Sequence, residues 1–123
     1  MITPLDVVYF IERYRRDKSF ADWSREQIAH EVIECVADHS IVISFDKDNT
    51  ISGVVTGTIV NPTTKLFRIT NLLTRPGTKD ALKLLFSRLS SFYPGWACSG
   101  NRHGREIVYS PAKISRLIST LPN

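Results

Sequence analysis

Residues 66–92 read LFRITNLLTRPGTKDALKLLFSRLSSF, and this stretch decides the fold because its hydrophobic period changes halfway along. The first part sets Phe67, Ile69, Leu72 and Leu73 among Thr70 and Thr74, the composition of a buried strand. In the second part Ala81, Leu82, Leu84, Leu85, Leu89 and Phe92 recur at helical spacing. Between the two lies Arg75-Pro76-Gly77-Thr78. Pro76 has no N–H for a ladder and ends the strand, Gly77 admits a left-handed turn, and Thr78 suits the N-cap of a helix beginning at Lys79. Backbone amides at such a helix start, with Arg75 and Lys79 beside them, suit an anion such as a phosphate. The same corner also serves ordinary strand-to-helix architecture with no ligand.

Before this stretch the chain predicts two helices and two strands. Thr3-Pro4-Leu5-Asp6 has the signature of a helix start. Val7, Val8, Phe10, Ile11 and Tyr14 follow as an apolar stripe, and Arg13, Arg15, Arg16 and Lys18 sit at the end where positive charge favours the dipole. Ser24 opens a second helix to about Ala37, with Ile28, Val32, Ile33 and Val36 expected inward and Arg25, Glu31 and Glu34 outward. Residues 40–46 and 51–60 alternate as strands around the turn Lys47-Asp48-Asn49-Thr50. Gly53 and Gly57 inside the second strand mark a bulge or a close approach by another group. With the strand at Leu66, these predict an antiparallel meander.

After the central helix, Tyr93-Pro94-Gly95 breaks the chain and residues 96–99 predict a strand. That strand should run parallel to the third in a right-handed crossover. Residues 100–104, GNRHG, are expected as a polar loop, and Arg105 to Ser110 as a further strand or a short helix. Ser110-Pro111 opens a last helix with Ile114, Leu117, Ile118 and Leu121 on one face. The expectation is a single α+β domain over 1–123, of order ααβββαββα, with helices on both faces of the sheet.

An apolar fraction of 42% with 10% aromatic residues argues against disorder, and 123 residues can bury a core without staples. No apolar run approaches the about 20 residues of a membrane span. The opening MITPLDVVYF has no basic region of the kind that starts a secretory signal, so a cytoplasmic protein is expected. Cys35 and Cys98 are far apart, and neither makes metal-ligand spacing with His30, His39 or His103. The net charge is +4 and unevenly spread. From residue 51 onward the acids are Asp80 and Glu106, against Lys65, Arg68, Arg75, Lys79, Lys83, Arg88, Arg102, Arg105, Lys113 and Arg116. That balance fits an anionic partner, either nucleic acid or a phosphorylated cofactor.

The order of two helices, a meander, a strand leading through a turn into a central helix, and a parallel strand resembles the GNAT superfamily of N-acetyltransferases over about Thr3 to Ser99. The segment Ile69-Thr70-Asn71-Leu72-Leu73-Thr74, with Leu84-Leu85 later, is similar to the family's central strand and helix. Alignment on that leucine pair puts Ala81 at the loop's last small position, Lys79 where the family has a glycine, and Pro76 where it has arginine or glutamine. The resemblance implies acetyl-CoA as cofactor and an amine acceptor. Its diphosphate would lie at the Arg75–Lys79 loop, with Leu73, Gly77, Thr78, Ala81 and Asn101 also binding. Tyr109 would act as general acid, with Glu106, Asp46 or Glu34 as the base. Small members of this kind also occur among bacteriophage and accessory bacterial proteins.

A second reading stays open beside it. Arg102, His103 and Arg105, with Tyr93, Trp96 and Tyr109 close in sequence, mix cations and flat rings as nucleic-acid surfaces do. A virion-associated or structural module on the same scaffold is the third possibility.

Overall fold

A computed structural model describes residues 2–15, 19–61, 63–78, 80–102 and 104–120. Among them are four helices and a five-stranded sheet: α1 (Pro4–Tyr14), α2 (Arg25–Ala37), β1 (Ile41–Phe45), β2 (Ile51–Asn61), β3 (Leu66–Thr74), α3 (Ala81–Phe92), β4 (Ala97–Arg102), β5 (Arg105–Tyr109) and α4 (Pro111–Thr120). The spatial order of the strands equals their chain order. All neighbours are antiparallel except β3 and β4, which α3 joins as a parallel crossover. The fold is therefore α+β with a mixed sheet.

Each of the first two helices begins where its capping residues put it. Thr3 Oγ1 accepts from the Asp6 amide at 3.3 Å while the Thr3 amide donates to Asp6 Oδ2 at 2.8 Å. Ser24 and Gln27 make the same reciprocal pair at 3.2 and 2.7 Å. These boxes satisfy two amides at each helix start that would otherwise lack a partner. Arg25 Nε then reaches Glu12 at 3.0 Å, tying α2 to α1.

The core is split by the sheet. On one face α1 and α2 pack Val7, Val8, Ile11, Ile28 and Val32 against Val54 and Leu73. On the other, α3 and α4 pack Leu85, Leu89 and Ile114 against Val42, Val55, Phe67 and Cys98. Val54 and Val55 are neighbours in sequence and lie in different cores, as the two-residue period of a strand requires. Burying a Leu or Ile side chain in either layer contributes about 2 kcal/mol.

Both strand glycines have a structural reason. Gly53 lies beside a register shift in the β1–β2 ladder, and a Cβ there would stand 2.8 Å from Ser44 Oγ. Ser44 and Ser52, both fully buried, share a hydrogen bond of 2.9 Å. At Gly57 a side chain would collide with the Arg68 carbonyl and the Phe67 ring.

Three sequence expectations are corrected. Ile33 and Val36 are not inward: they are 61% and 43% exposed, and Cys35 takes the buried position. The helix meets the sheet along a narrow stripe, so apolar residues at its margin remain outside. Residues 100–102 extend β4 and pair with β5, so the first three residues of the expected GNRHG loop are strand. The central helix starts at Ala81 with Asp80 as N-cap, which makes no side-chain cap, so neither Thr78 nor Lys79 begins it. The Thr78 hydroxyl instead accepts from Arg75 Nε at 3.2 Å. Arg16, Lys18 and Leu121, assigned above to helix faces or ends, lie outside the described residues.

Candidate functional site: a cleft where two parallel strands part

The one parallel contact in the sheet is short. β3 and β4 are in register only from Leu66, Phe67 and Arg68 to Ala97, Cys98 and Ser99. β3 runs on to Thr74 and β4 to Arg102, and beyond Arg68 and Ser99 the two are not paired. The local cause lies on the other side of β3. Asn71 faces Thr56 and Ile69 faces Gly57, so Thr70 is an extra residue in the β2–β3 ladder. A bulge of this kind bends and overtwists its strand. Thr70 Oγ1 donates to the Thr56 carbonyl at 3.0 Å and holds the bend. The switch of inward residues from Phe67 and Ile69 to Leu72 on the same face is its sequence trace.

The parting strands leave a cleft of about 760 Å³, within the range of small-molecule sites. Ile69, Thr70, Asn71 and Leu72 of β3 form one wall. Gly100 and Asn101 of β4, Gly104 of the following turn and Tyr109 of β5 form the other, and Phe86 of α3 and Ser19 also line it. Asn71 is buried to 9% exposure. Asn101 Oδ1 accepts from the Gly104 amide at 3.1 Å, so its oxygen shapes the hairpin. The Lys113 ammonium stands 5.0 Å from the centre of the Tyr109 ring, an arrangement that favours the cation over the ring face. Every described side chain on this lining is uncharged, so the cleft suits a polar, neutral, extended group.

The structure thus brings Asn101 and Tyr109 to one wall, opposite the β3 edge. Among the described residues it does not gather the other expected site residues there. Glu106 lies across the hairpin from Asn101 and pairs with Arg68 Nε at 3.2 Å, both side chains about half exposed. The Ser99 hydroxyl and the Arg68 guanidinium hold its carboxyl below the usual carboxylate range. The buried Ser99 hydroxyl makes no hydrogen bond to a described group, so the Arg68 ion pair is the firmer of the two causes. A carboxylate held in this way is a weak proton acceptor at neutral pH. Glu34 is exposed beside His30 at 3.2 Å. Asp46 is tied to Arg75.

The corner after β3 is more occupied than the sequence implies. The Arg75 guanidinium bonds Asp46, the Ile51 carbonyl at 3.3 Å and the Thr78 hydroxyl at 3.2 Å. Its side chain is therefore a clamp between the end of β3 and the β1–β2 turn. The amides of Arg75, Thr78 and Ala81 donate to Ser52, Arg75 and Thr78 carbonyls at 2.8, 3.4 and 3.4 Å. Gly77 takes φ +82 and faces open space. Leu73 is a core side chain and Ala81 is buried on the opposite layer's helix.

For the nucleic-acid reading, Arg105 is exposed on β5. Trp96, Tyr93 and Phe67 pack on one another with centroids 5.2 and 5.0 Å apart, and the Tyr93 hydroxyl donates to the His39 carbonyl. The Tyr93 and Trp96 rings are partly buried and pack against the α3–β4 core. Lys79 and His103 lie outside the described residues, as does the Arg102 side chain.

Sequence reasoning missed Ser19, Phe86, Gly100 and Gly104 as cleft residues. Phe86 has a signal, a large ring one position past the Leu84-Leu85 pair on a helix known to cross the sheet. Ser19 has none, because only the packed chain brings it to β3. Among the described residues no three His, Cys, Asp or Glu side chains gather to hold a metal, and no helix is long and apolar enough to cross a membrane. No protein-family model matches this sequence, and no curated protein does either.

Proposed function

We propose that the cleft between β3 and β4 takes the pantetheine arm and thioester of an acyl-coenzyme A, and that the chain is an N-acyltransferase of GNAT type. The observation that carries the reading is the parting of two parallel strands directly before a bulge, where a cleft opens with backbone on one wall and Asn101 and Tyr109 on the other. An extended amide-bearing arm can bond to a strand edge as another strand would. The thioester supplies an acyl carbon activated for attack by an amine.

The chain's own part is mostly positioning. The β3 edge orients the arm, and Asn71 presents an amide within the cleft. Tyr109 donates its phenolic proton to the departing sulfur, a task open to its hydroxyl because no described residue hydrogen-bonds it. The described lining contains no base, so the acceptor amine enters neutral or loses its proton to water. Arg75, through its bonds to Asp46, the Ile51 carbonyl and Thr78, holds the corner in shape from behind.

Thermal unfolding with and without acetyl-CoA tests this. A ligand at 100 times its Kd stabilises the folded state by about 2.7 kcal/mol, a rise of about 10 °C for a chain of this size. Tyr109→Phe is expected to keep that rise and lose turnover. No response to acetyl-CoA, together with salt-dependent binding of oligonucleotides, would overturn the reading in favour of a basic binding module.

A further inference from the structure

The open edge of β3 is already touched by one side chain. The Arg75 amide donates to the Ser52 carbonyl at 2.8 Å, which fixes the hydrogen-bonding parity of the β2–β3 ladder. Given the register Gly53 to Thr74 and Val55 to Leu72, Leu73 and Asn71 exchange bonds with β2. The Leu72 N–H and C=O point away from β2, towards the cleft, because bonded and unbonded pairs alternate in an antiparallel ladder. No described strand pairs with Leu72 on that side. Ser19 Oγ donates to the Leu72 carbonyl at 2.8 Å, joining residues 53 positions apart, and both residues line the cleft.

The Ser19 backbone is pinned by its neighbour. Phe20 is 2% exposed, takes φ +62, and stacks edge-on with Trp23 at 5.0 Å. With the backbone held there, the bond to Leu72 depends on the rotamer of the Ser19 side chain.

Resting on the acyl-coenzyme A reading of the cleft, we propose that Ser19 is a specificity-determining residue that competes with the ligand for the Leu72 carbonyl. An amide N–H of the bound arm replaces the Ser19 hydroxyl at that oxygen, and ligands without a correctly placed N–H leave the hydroxyl where it is. Ser19 thereby lowers the affinity of every amide-bearing ligand by the strength of one hydrogen bond and sets the register in which such a ligand lies along β3.

The test is the Kd of acetyl-CoA, by isothermal titration, for wild type, Ser19→Ala and Ser19→Thr. A neutral hydrogen bond in partly wet surroundings corresponds to about fivefold in affinity, so Ser19→Ala is expected to bind about fivefold tighter. Ser19→Thr, which keeps the hydroxyl, is expected to match wild type. Equal Kd for all three overturns the role of Ser19 and leaves the cleft reading intact. Absence of binding in all three overturns both. Should Ser19→Ala not fold, the Leu72 carbonyl carbon shift in wild-type protein decides: titration with acetyl-CoA moves it if the partner is exchanged, and an unmoved shift at saturation overturns the proposal.

Discussion

Replacing Gly57 with alanine tests how closely β2 and β3 approach beside the bulge. A methyl there would lie closer than 3.0 Å to the Arg68 carbonyl oxygen and to the Phe67 ring. Neither neighbour can yield cheaply. The oxygen is backbone in the same ladder, and Phe67 is 1% exposed inside the α3–α4 core. Overpacking of this kind costs about 1–3 kcal/mol, and dislodging one ladder hydrogen bond adds about 1 kcal/mol. Alanine returns about 0.5 kcal/mol by restricting the unfolded chain. The expected net loss is about 2.5 kcal/mol, or about 10 °C in Tm for a domain of this length. Urea unfolding followed by circular dichroism measures it, with two internal controls. Gly53→Ala meets Ser44 Oγ at 2.8 Å, a side chain that can turn only by giving up its buried hydrogen bond to Ser52, and is expected to cost about 1–2 kcal/mol. Gly100→Ala meets nothing within 4 Å and is expected to change stability by less than about 0.5 kcal/mol. A Gly57→Ala protein as stable as the Gly100→Ala protein would refute the close approach and the register that produces it.

Two further outcomes follow from titrating groups. The Asp46 carboxyl is held below its ordinary range, first by the Arg75 hydrogen bond and then by the Thr50 amide. The unfolded state therefore binds the proton more readily, so the stabilisation is complete above about pH 5 and is lost as pH falls through about 4 and below. A Tm profile against pH should show this acid limb, and Asp46→Asn should flatten it; an unchanged limb would place the acid sensitivity elsewhere. Burial pushes the Cys98 thiol up to about 11 and raises Cys35 as well, so at pH 8 neither is a thiolate in the folded protein. Both are expected to resist a thiol reagent until denaturant is added, and rapid labelling of native protein would contradict their packing.

Local signals were read where local physics suffices. Thr3 with Asp6 and Ser24 with Gln27 cap helices because each partner lies three residues from the other. The change of period after Thr74 locates the end of β3 and the existence of α3. The exact start of that helix was not legible. Arg75 takes the Thr78 hydroxyl as it reaches across to Asp46, 29 residues away, and the helix begins two residues after the expected Lys79. Periodicity alone puts Ile33 and Val36 inward, because it gives the direction of a helix's apolar face but not the width of what covers it.

By itself the chain determined its element order, its caps, the crossover and the residues of the β3–α3 corner, because each depends on residues a few positions apart. The tertiary structure decided where β3 and β4 separate, that Arg75 is consumed by Asp46, and that Ser19 touches Leu72. Those contacts join positions 29 and 53 residues apart. They are set by the bulge at Thr70, whose trace in the sequence is one skipped step among the inward residues of β3, and by two helical layers packed on opposite faces of one sheet, whose placement leaves no period in the sequence.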